Sequence, residues 1–169
     1  VLPLPVGQSS DCELLDFEVT QDPDGSGIAE KLNTGMPSGL RVLDCYPAVR
    51  PVRELTYLRA DLTLEYDNGV PENAAARLTE LLGRQELVIQ KRTKRKDLAD
   101  ADIAAMIKDF SFTEGEGVVT GTVTVLAQNP GLNPQLLEKA VERYLPELTP
   151  DFLRVRRRAI LDAEGRDFR

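Results

Sequence analysis

From Tyr57 to Tyr66 the chain alternates without a fault, with Leu58, Ala60, Leu62, Leu64 and Tyr66 in one phase and Tyr57, Arg59, Asp61, Thr63 and Glu65 in the other. Side chains of a strand point to opposite faces in turn, so this run predicts a strand with one face on a core and the other toward water. Asn68-Gly69 supplies the turn that ends it. Pro71 falls in the first turn of a predicted helix whose Ala75, Leu78, Leu81 and Leu82 share one side, and Gly83 stops it. A half-buried strand followed by a helix with one apolar side needs further strands beside it, and the rest of the chain is read for them.

Leu87 to Arg92 reads as a strand, Ile103, Ala104, Met106 and Ile107 as a short helix, and Val118 to Ala127 as a strand leaving the Gly115-Glu116-Gly117 turn. Pro134 opens a helix that carries Leu136, Leu137, Ala140, Val141 and Tyr144 on one side, and Phe152 to Leu161 closes as a strand. Strand, helix, strand, inserted helix, strand, helix, strand is the split β-α-β plan of ferredoxin-like folds, which predicts the strand order 4-1-3-2 with both main helices on one face. The first 50 residues repeat part of it. Residues 11–19 read as a half-buried strand after a tight turn at Gly7 to Ser10, with Leu15, Phe17 and Val19 alternating with Asp16 and Glu18, Ile28 to Asn33 reads as a short helix ended by Gly35, and Leu40 to Tyr46 reads as a strand. The expected fold class is therefore α+β with two ferredoxin-like (βαββαβ) subdomains. Residues 1–50 would be a partial one lacking its opening strand and helix, 51–56 a linker beside Pro47 and Pro51, and 57–169 a second one with a small helical insertion near 99–109.

Composition narrows the chemistry more than the fold. Hydrophobic residues make up 41% and charged residues 29% of the 169, enough apolar surface for a folded chain. No apolar run approaches the length of a membrane span, so a cytoplasmic protein with no membrane contact is expected. The chain has no histidine and two cysteines, Cys12 and Cys45. Imidazole-based nucleophile systems and two-histidine zinc helices are thereby excluded, and two thiols alone do not complete a zinc or iron–sulfur site. Both cysteines are expected as small apolar fillers in strands that are not neighbours, without a disulfide. No catalytic, cofactor-binding or metal-binding residue is assigned, and no cofactor is expected.

Pro3 to Gly7 (PLPVG), the acidic-apolar stretch Glu13 to Val19, Met36 to Asp44 (MPSGLRVLD), Lys94 to Ile107 beginning KRKDL, and the closing RVRR from Arg154 stand together in a way that resembles the bacterial radical-SAM-associated family of unknown function, DUF2344. The resemblance implies an accessory role beside a radical S-adenosylmethionine enzyme. The cluster-binding triple cysteine of such enzymes is absent here, so the chain would be the helper and not the catalyst.

Two basic stretches stand out against a net charge of −7. Lys91, Arg92, Lys94, Arg95 and Lys96 put five positive charges into six residues, and Arg154, Arg156 and Arg158 share one phase of the last strand. Residues 1–50 hold eight acids against three bases, so the acid excess lies elsewhere and these stretches are candidate contacts for nucleic acid or a partner. The structural alternative is edge protection, since in the 4-1-3-2 order both strands would rim the sheet, where Lys and Arg blunt unwanted pairing. Arg157 falls in the core-facing phase of Leu153 and Val155, which demands a β-bulge or a buried ion pair.

The open face should present Tyr57, Arg59, Asp61, Thr63 and Glu65 beside Thr120, Thr122 and Thr124. Threonines replace the aromatic residues on which ferredoxin-like RNA readers stack bases, so any RNA contact is expected to be with the backbone. Arg59-Ala60-Asp61 matches the Arg-x-Asp of pseudouridine synthases, but the aspartate stands in mid-strand and not in a loop. Gly25 to Gly27 and Gly115 to Gly117 lack phosphate-loop spacing and read as turns. The leading expectation is an accessory binding protein that assists a radical SAM enzyme or presents RNA to it. The alternatives are a pseudouridine-synthase-like RNA-modifying enzyme and a structural subunit that forms homo-oligomers through unpaired strand edges.

Overall fold

A computed structural model describes residues 2–20, 27–92 and 97–169. In chain order its elements are β1 (Ser9–Ser10), α1 (Ile28–Thr34), β2 (Tyr57–Glu65), α2 (Ala74–Leu82), β3 (Val88–Arg92), β4 (Leu98–Asp102), β5 (Ile107–Glu114), β6 (Val118–Leu126), α3 (Leu137–Tyr144) and β7 (Phe152–Leu161). The fold is α+β. One five-stranded sheet runs β1-β7-β2-β6-β5, and β3 with β4 forms a separate two-stranded sheet. All its pairings are antiparallel except β1 with β7.

The alternation that predicts β2 is also what buries it. Leu58, Ala60, Leu62 and Leu64 are buried beside Val119, Val123 and Val125 of β6 and Leu153, Val155 and Ile160 of β7. On that face lie α2, through Ala74, Leu78, Leu81 and Leu82, and α3, through Leu137, Ala140 and Val141. Each fully buried leucine contributes about 1.5–3 kcal/mol by leaving water, so this cluster carries most of the hydrophobic stability. Pro71 opens a turn that Ala74 N–H closes onto its carbonyl, and α2 then begins at Ala74 and stops before Gly83. Gly121 of β6 stands opposite Phe112 of β5, whose ring lies flat enough on it that a Cβ there would sit 2.4 Å from the ring.

Three expectations are corrected. The small helical insertion near 99–109 is a strand, a three-residue 3-10 turn at Ala104–Met106, and the start of β5. The helical spacing of Ile103 to Ile107 covers little more than one turn, whereas Phe110 and Phe112 alternate with Ser111 and Thr113 and take the place beside β6. In consequence the strand at 87–92 is not a rim of the main sheet. It pairs with β4, and its Val88 N–H and C=O both meet the Tyr144 hydroxyl of α3 at 3.2 Å.

The third correction concerns residues 11–19 and 40–46, which form no strand. The only ladder that the described part of residues 1–50 makes is β1, two residues long, against β7. Asn33 of α1 holds the 40s backbone with its side-chain amide, donating to Val42 C=O at 2.9 Å and accepting from Val42 N–H at 2.8 Å. The apolar phase of these stretches lies open, with Leu15 73% and Leu43 76% exposed. Cys12 and Cys45, expected in strands, lie outside them, and both are free thiols.

Candidate nucleic-acid interface

The strand register builds the open face of the sheet row by row. Asp61 of β2 stands between Arg156 of β7 and Thr122 of β6, and Thr63 between Arg154 and Thr120. Ser111 and Thr113 of β5 extend the two rows. Arg154, Arg156 and Arg158 therefore share one face with a set of hydroxyls, on a surface that neither α2 nor α3 covers. Thr124, expected on the same face, is buried between Arg59 and Asp109 in the register. Tyr57 carries Lys108 Nζ 4.0 Å over its ring.

The anomaly at Arg157 is met by an ion pair, with a bulge beside it that does not turn it outward. The register of β2 on β7 slips between Arg59 and Ala60, which pair with Ala159 and Arg157, so Arg158 is the extra residue of a bulge. Arg157 keeps the core-facing phase and is 5% exposed. Its Nη1 donates to Glu13 Oε1 at 3.1 Å and to Leu2 C=O at 3.2 Å, and its Nη2 donates to Pro3 C=O at 2.8 Å. Its Nε is buried without a hydrogen-bond partner among the described residues.

Each open-face arginine of β7 holds a carboxylate. Arg154 Nε donates to Glu65 Oε1 at 2.5 Å. Arg156 grips Asp11 with a two-pronged fork, Nε to Oδ2 at 3.0 Å and Nη2 to Oδ1 at 2.8 Å. Arg158 Nη1 reaches Asp11 Oδ2 at 2.7 Å while its Nε lies 3.4 Å from Asp61 Oδ2. The Arg156 hydrogen bond holds the Asp11 carboxyl below the usual carboxylate range, and the Arg154 hydrogen bond does the same for Glu65. Burial pushes the Cys12 thiol up, in keeping with an apolar filler.

Of the predicted contact residues, Arg154, Arg156 and Arg158 are thus brought into one row. Lys91 and Arg92 stand on β3, in the other sheet, so the structure does not join them to that row. Lys94, Arg95 and Lys96 lie outside the described residues. Asp61 is in mid-strand, accepting from the Thr122 hydroxyl at 3.3 Å. The residues that sequence reasoning missed are Asp11 and Glu13. Their two-residue spacing, matched to the crowded arginines of β7, is a signal only once the two segments are known to meet.

A family model described as an uncharacterized protein conserved in bacteria (DUF2344) matches residues 1–134. The chain belongs to that family. The match takes in the segment that carries Asp11 and Glu13 and all elements of this DUF2344 protein from β1 to β6. No curated protein and no solved structure matches the chain. Among the described residues no helix is long and apolar enough to cross a membrane, and no three His, Cys, Asp or Glu side chains are grouped to hold a metal ion.

Proposed function

We propose that this DUF2344 protein is a cytoplasmic accessory binding protein that contacts RNA through its phosphates and serves a radical SAM enzyme. The observation that supports RNA contact is the row Arg154, Arg156 and Arg158 set among Thr63, Thr120 and Thr122 on the sheet face opposite α2 and α3. Guanidinium forks and hydroxyls suit phosphate oxygens, and the threonines of β2 and β6 leave no platform for stacked bases. The stretch Lys91 to Lys96 adds long-range attraction on a chain of net charge −7. The radical SAM partner rests on the family resemblance of the sequence. The division into a partial ferredoxin-like subdomain at 1–50 and a second one at 57–169 belongs to the same proposal. It is supported in the second part by the order β7-β2-β6-β5 with α2 and α3 on one face.

A structural, oligomer-forming subunit is favoured by a different observation, the open apolar side chains of residues 1–50. A cluster of open apolar side chains is suited to burial against a second copy of the chain. For the pseudouridine-synthase reading, Asp61 would need a pocket. Its carboxylate is instead held between Thr122 and Arg158 in the middle of β2.

The test is binding of a single-stranded oligoribonucleotide over a range of salt concentrations. Replacing Lys91, Arg92, Lys94, Arg95 and Lys96 with glutamine is expected to weaken binding and to flatten the log–log salt slope by up to about 0.7 per lost phosphate contact. Unchanged affinity and slope, there and on replacing Arg154, Arg156 and Arg158 with glutamine, would remove the RNA reading, and a wild-type dimer with buried residues 11–19 would favour the structural one.

A further inference from the structure

The three consecutive arginines of β7 are held by one short segment of the same chain. Asp11 takes Arg156 and Arg158 on the open face, while Glu13 and the carbonyls of Leu2 and Pro3 take Arg157 on the other. Alternation along β7 makes this arrangement reachable, because it puts the two neighbours of a buried arginine on the same open face within range of one carboxylate. An arginine fork on a carboxylate has the geometry that it offers to a phosphate. Asp11 therefore stands where a phosphate would stand if the row bound a polyanion.

We propose that the segment Leu2–Glu13 is an internal acidic mimic that masks the arginine row, and that a single-stranded polyanion binds the row by displacing Asp11. This rests on the RNA reading given above and adds the regulation of that site.

Around Asp11 the attachment is thin enough for such exchange, while Glu13 and the carbonyls of Leu2 and Pro3 keep their hold on Arg157 and Leu2 and Cys12 stay packed on the core. The segment's ladder is Ser9 and Ser10 on Arg156 and Arg157, extended by Asp11 N–H to Arg157 C=O at 3.0 Å and by Gln8 Nε2 to Asn133 Oδ1 at 2.8 Å. None of its described residues is buried, and Val6 is fully exposed. Asp11, Arg156 and Arg158 keep 37%, 55% and 45% of their side-chain surface in water. Exposed ion pairs of this kind are individually weak and screened by salt, so a ligand presenting several phosphates competes with a single carboxylate. Once Asp11 leaves, the Asp61 carboxylate is the acid still facing both Arg156 and Arg158. The row then becomes net positive beside the hydroxyls of Thr122 and Thr63.

The experiment compares wild type, Asp11→Asn and Asp16→Asn for binding of a fluorescent oligouridylate by anisotropy across salt concentrations. Asp16 is an exposed acid of the same stretch that makes no ion pair among the described residues, so it controls for net charge alone. Asp11→Asn is expected to bind about fivefold tighter, the factor that the loss of two exposed ion-pair competitors corresponds to. Its log–log salt slope should steepen by about 1.4, or 0.7 for each of two released arginines. Asp16→Asn should leave the slope at the wild-type value. In wild type, saturating oligouridylate should speed hydrogen exchange at the Asp11 amide.

If Asp11→Asn matches either wild type or Asp16→Asn in slope, or if the Asp11 amide keeps its protection in the complex, the masking proposal is overturned. The RNA reading survives that result as long as binding still depends on Lys91 to Lys96. Should neither wild type nor Asp11→Asn bind, both fall together.

Discussion

The two halves of the molecule contain the same kind of sequence and treat it in opposite ways. Among the described residues every buried apolar one lies at Leu55 or beyond, whereas nine of the eleven exposed large apolar ones lie between Leu4 and Val49. Leu58 to Leu64 and Leu15 to Val19 both alternate apolar with polar side chains. The first run has β6 and β7 on its flanks and α2 and α3 across its apolar face, while the second has neither among the described residues. Alternation states which side chains would be buried together if a strand formed. It does not supply the neighbours that make burial happen, because a two-sided ladder and a covering layer come from elsewhere in the chain or from a partner.

That contrast is most sharply broken or sustained by matched truncations. Leu78→Ala removes a side chain that is 1% exposed, between α2 and the sheet. It should lower unfolding free energy by about 2–5 kcal/mol, the transfer loss plus the cavity left behind. Leu15→Ala, at a residue 73% exposed, should stay within about 0.5 kcal/mol of wild type. Urea unfolding followed by circular dichroism reads both. A loss of about 2 kcal/mol or more at Leu15 would mean that residues 11–19 are covered in solution, and the division drawn between the halves would be withdrawn.

A second way to sharpen it lies inside the well-packed half, at Gly121. A Cβ there would come within 2.4 Å of the Phe112 ring and 2.8 Å of the Ser111 carbonyl oxygen, and the latter is backbone that a side-chain rotation cannot relieve. Gly121→Ala should therefore cost about 1–3 kcal/mol through overpacking. Adding Phe112→Ala should recover only the part due to the ring, so the double variant is not additive in thermal unfolding. Full additivity would show that the ring is not seated on Gly121.

Much of the second half was legible because its elements are long and strongly periodic. The spans of β2, β6 and β7 and the apolar sides of α2 and α3 follow from alternation, proline starts and glycine stops. The strand β5 was hidden by Ile103 to Ile107, which fit one turn of helix equally well, although Phe110 and Phe112 before the glycine turn carried the correct period. At the candidate site, the phase of Arg154, Arg156 and Arg158 and the misfit of Arg157 could be read directly, because both depend on one strand. The partners could not. Asp11 and Arg156 are 145 positions apart in the chain, and no local pattern in either segment announces that pairing. The 11–19 stretch misleads for the same reason, since a strand needs two segments and its alternation specifies only one of them.

The smallest effect contrasts one tyrosine from each half. The Tyr66 hydroxyl, at the end of the β2 run, is buried and donates to Leu148 C=O at 2.9 Å. Burial, with the nearby Asp151 charge adding to it, pushes its ionisation up from 10.0 to about 12. Tyr66→Phe leaves the Leu148 carbonyl without that donor and should cost about 1 kcal/mol near neutral pH. Tyr46→Phe, at a partly exposed tyrosine of the first half, should change stability by less than about 0.5 kcal/mol. The sign of the alkaline dependence follows from the raised value. A phenol that ionises at about 12 when folded and 10.0 when free contributes stability that is whole below pH 10 and is lost as pH rises through 12. The gap between wild type and Tyr66→Phe should accordingly shrink above pH 10 in denaturant unfolding. A Tyr66→Phe gap that stays constant across that range would mean the hydroxyl ionises as freely in the folded chain as in water. The end of β2 would then be as open as the stretch before residue 50.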